Sequence, residues 1–302
     1  MIVICGIDKI KRFKSPVVAL GVFDGVHRAH QKIINSTVQT ARSIGGTSIV
    51  LTFWPHPQKE KSLYSLKHRL KILKELCLDV CVVVDFNLKF AKVSAEGFVK
   101  DILVDKLSAE YLYVGRDFRF GKGASGSLVL LKKLGRRFGF KVKGFNMLKY
   151  KRLPISSTLI RKMITVGDIE GAAKLLGRPV SVLGRVVKGA SLGKKIGFPT
   201  ANIKPHHEVI PPCGIYAAKV ILGKKILKGA CYIGKKPTIK EAKKRIGVEA
   251  HILNYKGDLY NKDVEVQFIK RIRPDKKFSS LDFLSAQIKK DLLKIKKIFS
   301  SL

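Results

Sequence analysis

Val17-Val18-Ala19-Leu20-Gly21-Val22-Phe23-Asp24-Gly25-Val26-His27-Arg28-Ala29-His30 decides how the first half of the chain is read. Four apolar residues make a short buried strand and a glycine-bearing turn follows. From Gln31 a helical pattern takes over, with Ile33, Ile34, Val38, Ala41 and Ile44 recurring at steps near 3.6. A strand that turns directly into a helix opens a βαβ unit. The alternation continues outward, with strands at 48–53, 80–84, 111–114 and 141–145 separated by helical patterns at 66–76, 95–107 and 128–138. This predicts an α/β domain whose parallel sheet is covered on both faces. Ligands of such sheets bind beyond the carboxyl ends of the strands, where the first turn lies.

His27 and His30, three apart at the helix start, can both face the spot where unpaired backbone N–H groups and the helix dipole favour an anion. A metal pair or two surface histidines are the alternatives, but the metal reading lacks a nearby third ligand of a convincing type, and the position after the first strand favours phosphate. A phosphate site is the expectation.

Beyond residue 155 the rhythm changes. Two helical patterns, 159–164 and 169–176, are split by Gly167-Asp168, with Asp168 placed to cap the second. From 180 to 269 short strands at 180–187, 214–221, 227–233, 246–253 and 264–268 are broken by Gly, Pro and Asn, the pattern of a small antiparallel barrel. A closing helix is expected to be capped by Ser279 with Asp282, carrying Leu281, Leu284, Ile288, Leu292 and Ile295 on one face. The 302 residues thus divide into an N-terminal domain (1–158), a helical connector (159–179) and a barrel domain (180–302).

The net charge of +38 would suit a nucleic-acid binder, but it is spread evenly, +16 over residues 1–150 and +22 over the remainder, with no basic tail. A lysine-rich solvated surface that also favours polyanionic small molecules such as ATP accounts for it, and no nucleic-acid partner is expected. No run approaches the ~18 apolar residues a membrane span needs. Met1 to Ile7 has its charges after the apolar residues instead of before, so no export signal is read. Five scattered cysteines without a Cys-x-x-Cys spell out neither disulfides nor a zinc site and fit a reducing cytoplasm. Gly121-x-Gly123-x-x-Gly126 imitates a dinucleotide fingerprint but follows no strand, and is expected to be a loop.

The first turn, together with Thr52-Phe53-Trp54-Pro55-His56-Pro57, Val114-Gly115-Arg116-Asp117-Phe118-Arg119-Phe120-Gly121 and Ser156-Ser157-Thr158-Leu159-Ile160-Arg161, resembles the His-x-Gly-His nucleotidyltransferases. The resemblance is closest to the FAD synthetase module of bacterial bifunctional riboflavin kinase/FAD synthetases. It implies a Rossmann-like nucleotidyltransferase fold in which Gly21, Phe23, Asp24, His27, His30, Ser156, Ser157, Thr158 and Arg161 grip ATP. His27 and His30 would be the catalytic donors, and Pro55, His56, Asp117 and Phe118 would meet the flavin. Ser and Thr hydroxyls at a helix start followed by Arg161 suit a second anion cradle that could hold the departing pyrophosphate, though without the other blocks they read as an ordinary capped helix. Ala29 stands where the family has glycine, and Trp54 where many members carry an acidic residue.

In the second half, Gly184, Gly189, Gly193 and Gly197 punctuate a stretch with Lys188, Lys194 and Lys195, which as bare chemistry is any glycine-rich turn near phosphate. It runs into Gly197-Phe198-Pro199-Thr200-Ala201-Asn202 and is followed by Pro211-Pro212-x-Gly214-Ile215-Tyr216, Ile233-Gly234-x-x-Pro237-Thr238, Val248-Glu249-Ala250-His251 and Asp258-Leu259-Tyr260. Arg273, Phe278 and Ser280-Leu281 complete the series, which resembles riboflavin kinase in the same order. The resemblance implies that Thr200 and Asn202 hold Mg²⁺ and, with Gly193 and Lys194, the phosphates of ATP, and that Glu249 is the general base on the ribityl 5′-hydroxyl. Hard oxygen ligands suit Mg²⁺ and a carboxylate suits proton removal. Without the resemblance, Glu249 reads as an outward strand residue. His206 and His207 are adjacent, point apart and receive no role.

The expected protein is a cytoplasmic enzyme that uses ATP and Mg²⁺ to convert riboflavin to FMN and FMN to FAD, its partners being small molecules and its oligomeric state open. One alternative keeps the kinase but has nucleotidyl transfer impaired by Ala29. A remote one is a basic nucleic-acid-binding protein built on these folds.

Overall fold

The computed structural model describes residues 1–58, 61–189, 193, 196–206, 209–236, 245–255 and 257–301, with backbone alone for Lys235, Lys236 and Arg245. The chain divides into two compact units, Met1–Ser157 and Thr158–Leu302.

In the first unit six strands, β1 (Ile2–Cys5), β2 (Pro16–Leu20), β3 (Thr47–Trp54), β4 (Val80–Asp85), β5 (Tyr111–Gly115) and β6 (Lys141–Phe145), form one sheet in the order β1-β4-β3-β2-β5-β6. Every pairing is parallel. The helices are α1 (Arg28–Ser43), α2 (Leu66–Glu75), α3 (Ala95–Gly97, continued as a wider π-helical stretch Phe98–Lys106) and α4 (Leu128–Phe138), and a short hairpin of β7 (Lys149–Tyr150) and β8 (Leu153–Pro154) follows. β2 is buried at every residue, as a central strand covered on both faces must be. Valines, leucines and isoleucines of β2 to β5 pack with Phe98, Val99, Ile102 and Leu103 of α3 and Leu131 and Leu134 of α4.

β1 was not legible: the apolar start of the chain pairs with β4 at the sheet edge, and Ile2 and Val3 remain largely exposed, so no buried alternation marks it. The decoy glycines form a loop, with Phe120 bridging Gly126. Counted from β2, the chain adds β3 and β4 on one side and then returns to add β5 and β6 on the other. The strand order therefore reverses beside β2, the place where open α/β sheets hold ligands.

In the second unit α5 (Ser157–Val166) and α6 (Ile169–Leu176) lead into β9 (Val180–Val187), β10 (Ala201–Pro205), β11 (Gly214–Leu222), β12 (Lys225–Lys236), β13 (Arg245–Ile252) and β14 (Asp263–Pro274). These six close into an antiparallel barrel in the order β10-β13-β12-β11-β14-β9. Asp168 caps α6, its Oδ1 accepting from Gly171 N at 2.8 Å. α6 packs on β9 and β14, so part of the stretch read as a connector covers the barrel.

Five barrel strands were expected and a sixth is present. β10 escaped because polar Asn202 and Pro205 interrupt its five residues, yet it alone joins β9 to β13. The closing helix α7 (Leu281–Ser300) is capped by Ser280, whose Oγ accepts from Phe283 N at 3.3 Å, one residue after the expected Ser279. Its buried face carries Ile295 and Phe299 against Ala217, with Leu281 left exposed. Asp291, buried on the same helix, accepts from Arg273 Nε at 2.9 Å and from Gln287 at 2.9 Å, which fixes α7 to β14. No helix among the described residues is long and apolar enough to cross a membrane.

Candidate active sites

In the first unit the candidate residues gather at the carboxyl ends of three adjacent strands. The turn from Gly21 to His27 leaves β2, Pro55 and His56 leave β3, and Asp117 and Phe118 leave β5, which sits on the other side of β2. Phe23 takes a left-handed conformation (φ 50°) that buries its ring edge-on to His30, 5.2 Å between centroids. His27 is the N-cap of α1: its Nδ1 accepts from His30 N at 3.4 Å, and the two imidazoles stack at 3.6 Å. The pair therefore forms a two-ring stack at the start of a sixteen-residue helix, where backbone N–H groups converge.

Ala29 lies in the first turn of α1, half-buried and at an ordinary helical position. Its methyl group strains no backbone.

Asp24 is buried, and its carboxylate is occupied within the fold. Both oxygens accept from Leu63 N, at 2.9 and 3.0 Å, and Oδ1 lies 3.7 Å from the guanidinium of Arg69. Arg69 was not singled out in the sequence. Fully buried, it donates through Nη1 to Val22 O at 2.8 Å and to Phe53 O at 3.3 Å, and its guanidinium lies 5.5 Å from the Trp54 ring. Burial lowers its pKa, and Asp24 opposes that shift. One cation thus ties the ends of β2 and β3 and the turn together. The available signal was its place on the apolar face of α2, three and four residues before Ile72 and Leu73.

Ser157, 133 residues beyond Asp24, donates from Oγ to Asp24 O at 2.8 Å. The fold therefore brings the start of the Ser156-Ser157 block to the first turn, as two halves of one anion cradle would require. Thr158 and Arg161 lie on α5 in the second unit. Phe118 stacks on Phe120 at 5.8 Å, while Pro55 is exposed and follows a cis bond after Trp54. His56 Nδ1 accepts from Gln58 N at 3.2 Å.

In the barrel, Asn202 on β10 stands directly opposite Glu249 on β13, so the two side chains share a face. Thr200, just before β10, donates from Oγ1 to Glu249 Oε2 at 3.2 Å. Across the next pairing Glu249 faces Tyr232 of β12, whose phenol is pushed up to about 12 by burial first and by Asp275 and Glu249 after it. The glycine-rich stretch meets the same residues. A side chain at Gly189 would collide with the amide of Asn202, and a Cβ at Gly193 would collide with Phe198 O and come within 3.3 Å of Thr200 Oγ1. These two glycines let the backbone at positions 189 and 193 lie against the oxygen cluster, a close approach that a side chain would forbid. Lys194, Lys195, His207, Pro237 and Thr238 lie outside the described residues.

Beside the cluster a cavity of about 160 Å³ is lined by Pro199, Thr200, Ala250, Tyr255, Leu259 and Tyr260 among others. No group of three or more His, Cys, Asp or Glu side chains able to hold a metal occurs among the described residues.

Both halves match family models, FAD synthetase over residues 9–159 and riboflavin kinase over residues 176–299. A bifunctional riboflavin kinase/FMN adenylyltransferase of Buchnera aphidicola subsp. Schizaphis graminum is 37% identical over 311 residues, covering 99% of each chain. Its counterpart in Escherichia coli strain K12 is 36% identical, covering 94% of this chain and 92% of its own. Among solved structures, one from Streptococcus pneumoniae described as a macrolide-efflux protein superposes with a TM-score of 0.87 at 28% identity, over 98% of this chain and 99% of that one. With each half matched by its own model and relatives aligned along almost the whole length, the chain belongs to the bifunctional riboflavin kinase/FMN adenylyltransferase family.

Proposed function

We propose that the barrel unit phosphorylates the ribityl 5′-hydroxyl of riboflavin with ATP, and that the N-terminal unit adenylylates the resulting FMN to FAD with release of pyrophosphate. The observation that carries the first half is the cluster of Thr200, Asn202 and Glu249 on one face of two paired strands. Glu249 accepts the hydroxyl proton as that oxygen attacks the γ-phosphorus, and ADP leaves. Thr200 and Asn202 supply a hydroxyl and an amide, the hard oxygens that suit Mg²⁺, which takes few protein ligands and completes its shell with phosphate and water. When bound, the ion neutralises charge on the ATP phosphates. The apolar cavity lined by Leu259 and Tyr260 next to Thr200 suits the adenine ring.

In the N-terminal unit, phosphoryl chemistry asks mainly for positioning and charge stabilisation, and no covalent intermediate is needed. The stacked imidazoles of His27 and His30 donate to phosphate oxygens at the helix start. The FMN phosphate attacks the α-phosphorus, and Ser156 donates to the leaving pyrophosphate, while Ser157, whose hydroxyl proton goes to Asp24 O, meets it through its backbone N–H at the start of α5. Asp24 serves by orienting the turn, since Leu63 and Arg69 hold its carboxylate. The parts assigned to Thr158 and Arg161 rest on the family resemblance, as does flavin contact by Pro55, His56, Asp117 and Phe118. A cytoplasmic location is part of the same reading.

Labelled ATP tests the scheme. Label in the γ-phosphate should enter FMN and persist in FAD, whereas label in the α-phosphate should enter FAD only. Appearance of α-label in FMN would refute the division of labour.

A further inference from the structure

We infer that His251 is a positioning residue for the kinase step, holding Thr200 in place through the carbonyl of Pro199. This rests on the reading of Glu249 and Thr200 as kinase residues and adds a role which that reading does not contain.

The backbone geometry creates the need. β10 and β13 pair at Ala201–Ala250, Asn202–Glu249 and Ile203–Val248, and the pairing ends there. Pro199 has no N–H to extend the ladder, so Thr200 sits on a segment that backbone hydrogen bonds do not hold from the β13 side. His251, two residues after Glu249, projects from the same face of β13. Its Nδ1 lies 2.8 Å from Pro199 O. The Phe198 ring meets the imidazole edge-on at 5.9 Å, which fixes the ring plane from the other side.

The imidazole therefore replaces the missing ladder bond. One residue later, Thr200 Oγ1 reaches Glu249 Oε2 at 3.2 Å. The chain of contacts runs from His251 to Pro199 O, along one peptide to Thr200, and back to β13 at Glu249, closing a small loop around the reacting centre. Pro199 O can only accept, so Nδ1 carries the proton, and neutral His251 is the Nδ1–H tautomer.

The test uses the full chain. The variants His251→Ala, His251→Asn and His251→Gln are compared in FMN formation, with FAD formation from supplied FMN measured in the same preparations as the control for folding. His251→Ala should lose about tenfold or more in kcat, the cost expected when a reacting group is no longer held in place, with KM for riboflavin little changed. His251→Asn, whose amide nitrogen can occupy the place of Nδ1, should recover most of that loss. His251→Gln, whose amide reaches the place of Nε2, should not.

Independently, nitrogen NMR of the wild-type protein labelled at histidine should show His251 as the Nδ1–H tautomer. An Nε2–H tautomer, an unaffected His251→Ala variant, or equal rescue by Gln and Asn would each overturn the inference while leaving the kinase reading standing. A wild-type protein that forms no FMN would overturn both.

Discussion

Asn202 and Glu249 face each other across the β10–β13 pairing, and Thr200, two residues before Asn202, closes the diagonal with a 3.2 Å hydrogen bond to Glu249 Oε2. Amide and carboxylate are thereby fixed by strand register, and the hydroxyl, on the segment just before β10, is joined to them by its bond to Glu249. A one-residue slip of β10 would turn both Thr200 and Asn202 away from Glu249.

Glu249→Gln should lower FMN formation by at least about 10²-fold, the usual worth of a positioned general base, and leave FAD formation from supplied FMN intact. Chromatography of the flavins reads both outcomes. Loss of both activities would contradict separate sites.

Thr200→Val keeps the shape and removes the hydroxyl. Loss of a hydrogen bond to a charged group, about 1.5 to 3 kcal/mol, should cut kcat/KM for FMN formation by about 10- to 100-fold. Steady-state kinetics checks this. FAD formation from FMN should not change.

His27 both caps α1 and, in this account, donates to phosphate, and one substitution separates the two roles. Asparagine is a good N-cap, so His27→Asn should keep the melting temperature while FAD formation falls by about 10²- to 10³-fold. His27→Ala should lose both, with about 1 kcal/mol of stability removed. Thermal melts and FMN adenylylation assays distinguish the variants.

Most of the fold was legible because its strands are buried on both faces or alternate cleanly, and its helices keep a 3.6-residue period. What escaped lacks those signals. β1 is an edge strand with exposed Ile2 and Val3, and β10 is short and carries polar Asn202. Of the site, the residue types and their order could be read from the sequence. The contacts that unite them could not, because Ser157 with Asp24, and His251 with Pro199, are partners set by tertiary folding across 133 and 52 residues. Asp24 shows the limit most clearly. Nothing in its motif announces that its carboxylate accepts from Leu63 N and lies 3.7 Å from Arg69 of α2.

Arg69→Met should strand the buried Asp24 carboxylate and destabilise the N-terminal unit by about 3 to 5 kcal/mol, as expected when one partner of a buried ion pair is removed. Arg69→Lys, which keeps the charge, should lose less. Denaturant unfolding gives the difference, and FAD formation should fall in the same order.

Cys81 is fully buried, and burial pushes its thiol up to about 12 from an ordinary value of 9.0. The unfolded chain releases this proton first as pH rises, so the contribution to stability is complete below pH 9 and is lost progressively towards pH 12. Cys81→Ala should therefore flatten the fall of stability with pH across that window, by up to about 1.4 kcal/mol per pH unit, whatever its effect at neutral pH. Unfolding free energies measured across that alkaline range provide the check.

The most direct test of the central claim is to incubate the purified protein with riboflavin, ATP and Mg²⁺ and to separate the flavins with time. FMN should appear first and FAD after it, with FAD also formed when FMN replaces riboflavin. FMN that accumulates without FAD would contradict the adenylyltransferase half, and an absence of FMN would contradict the kinase reading of Thr200, Asn202 and Glu249.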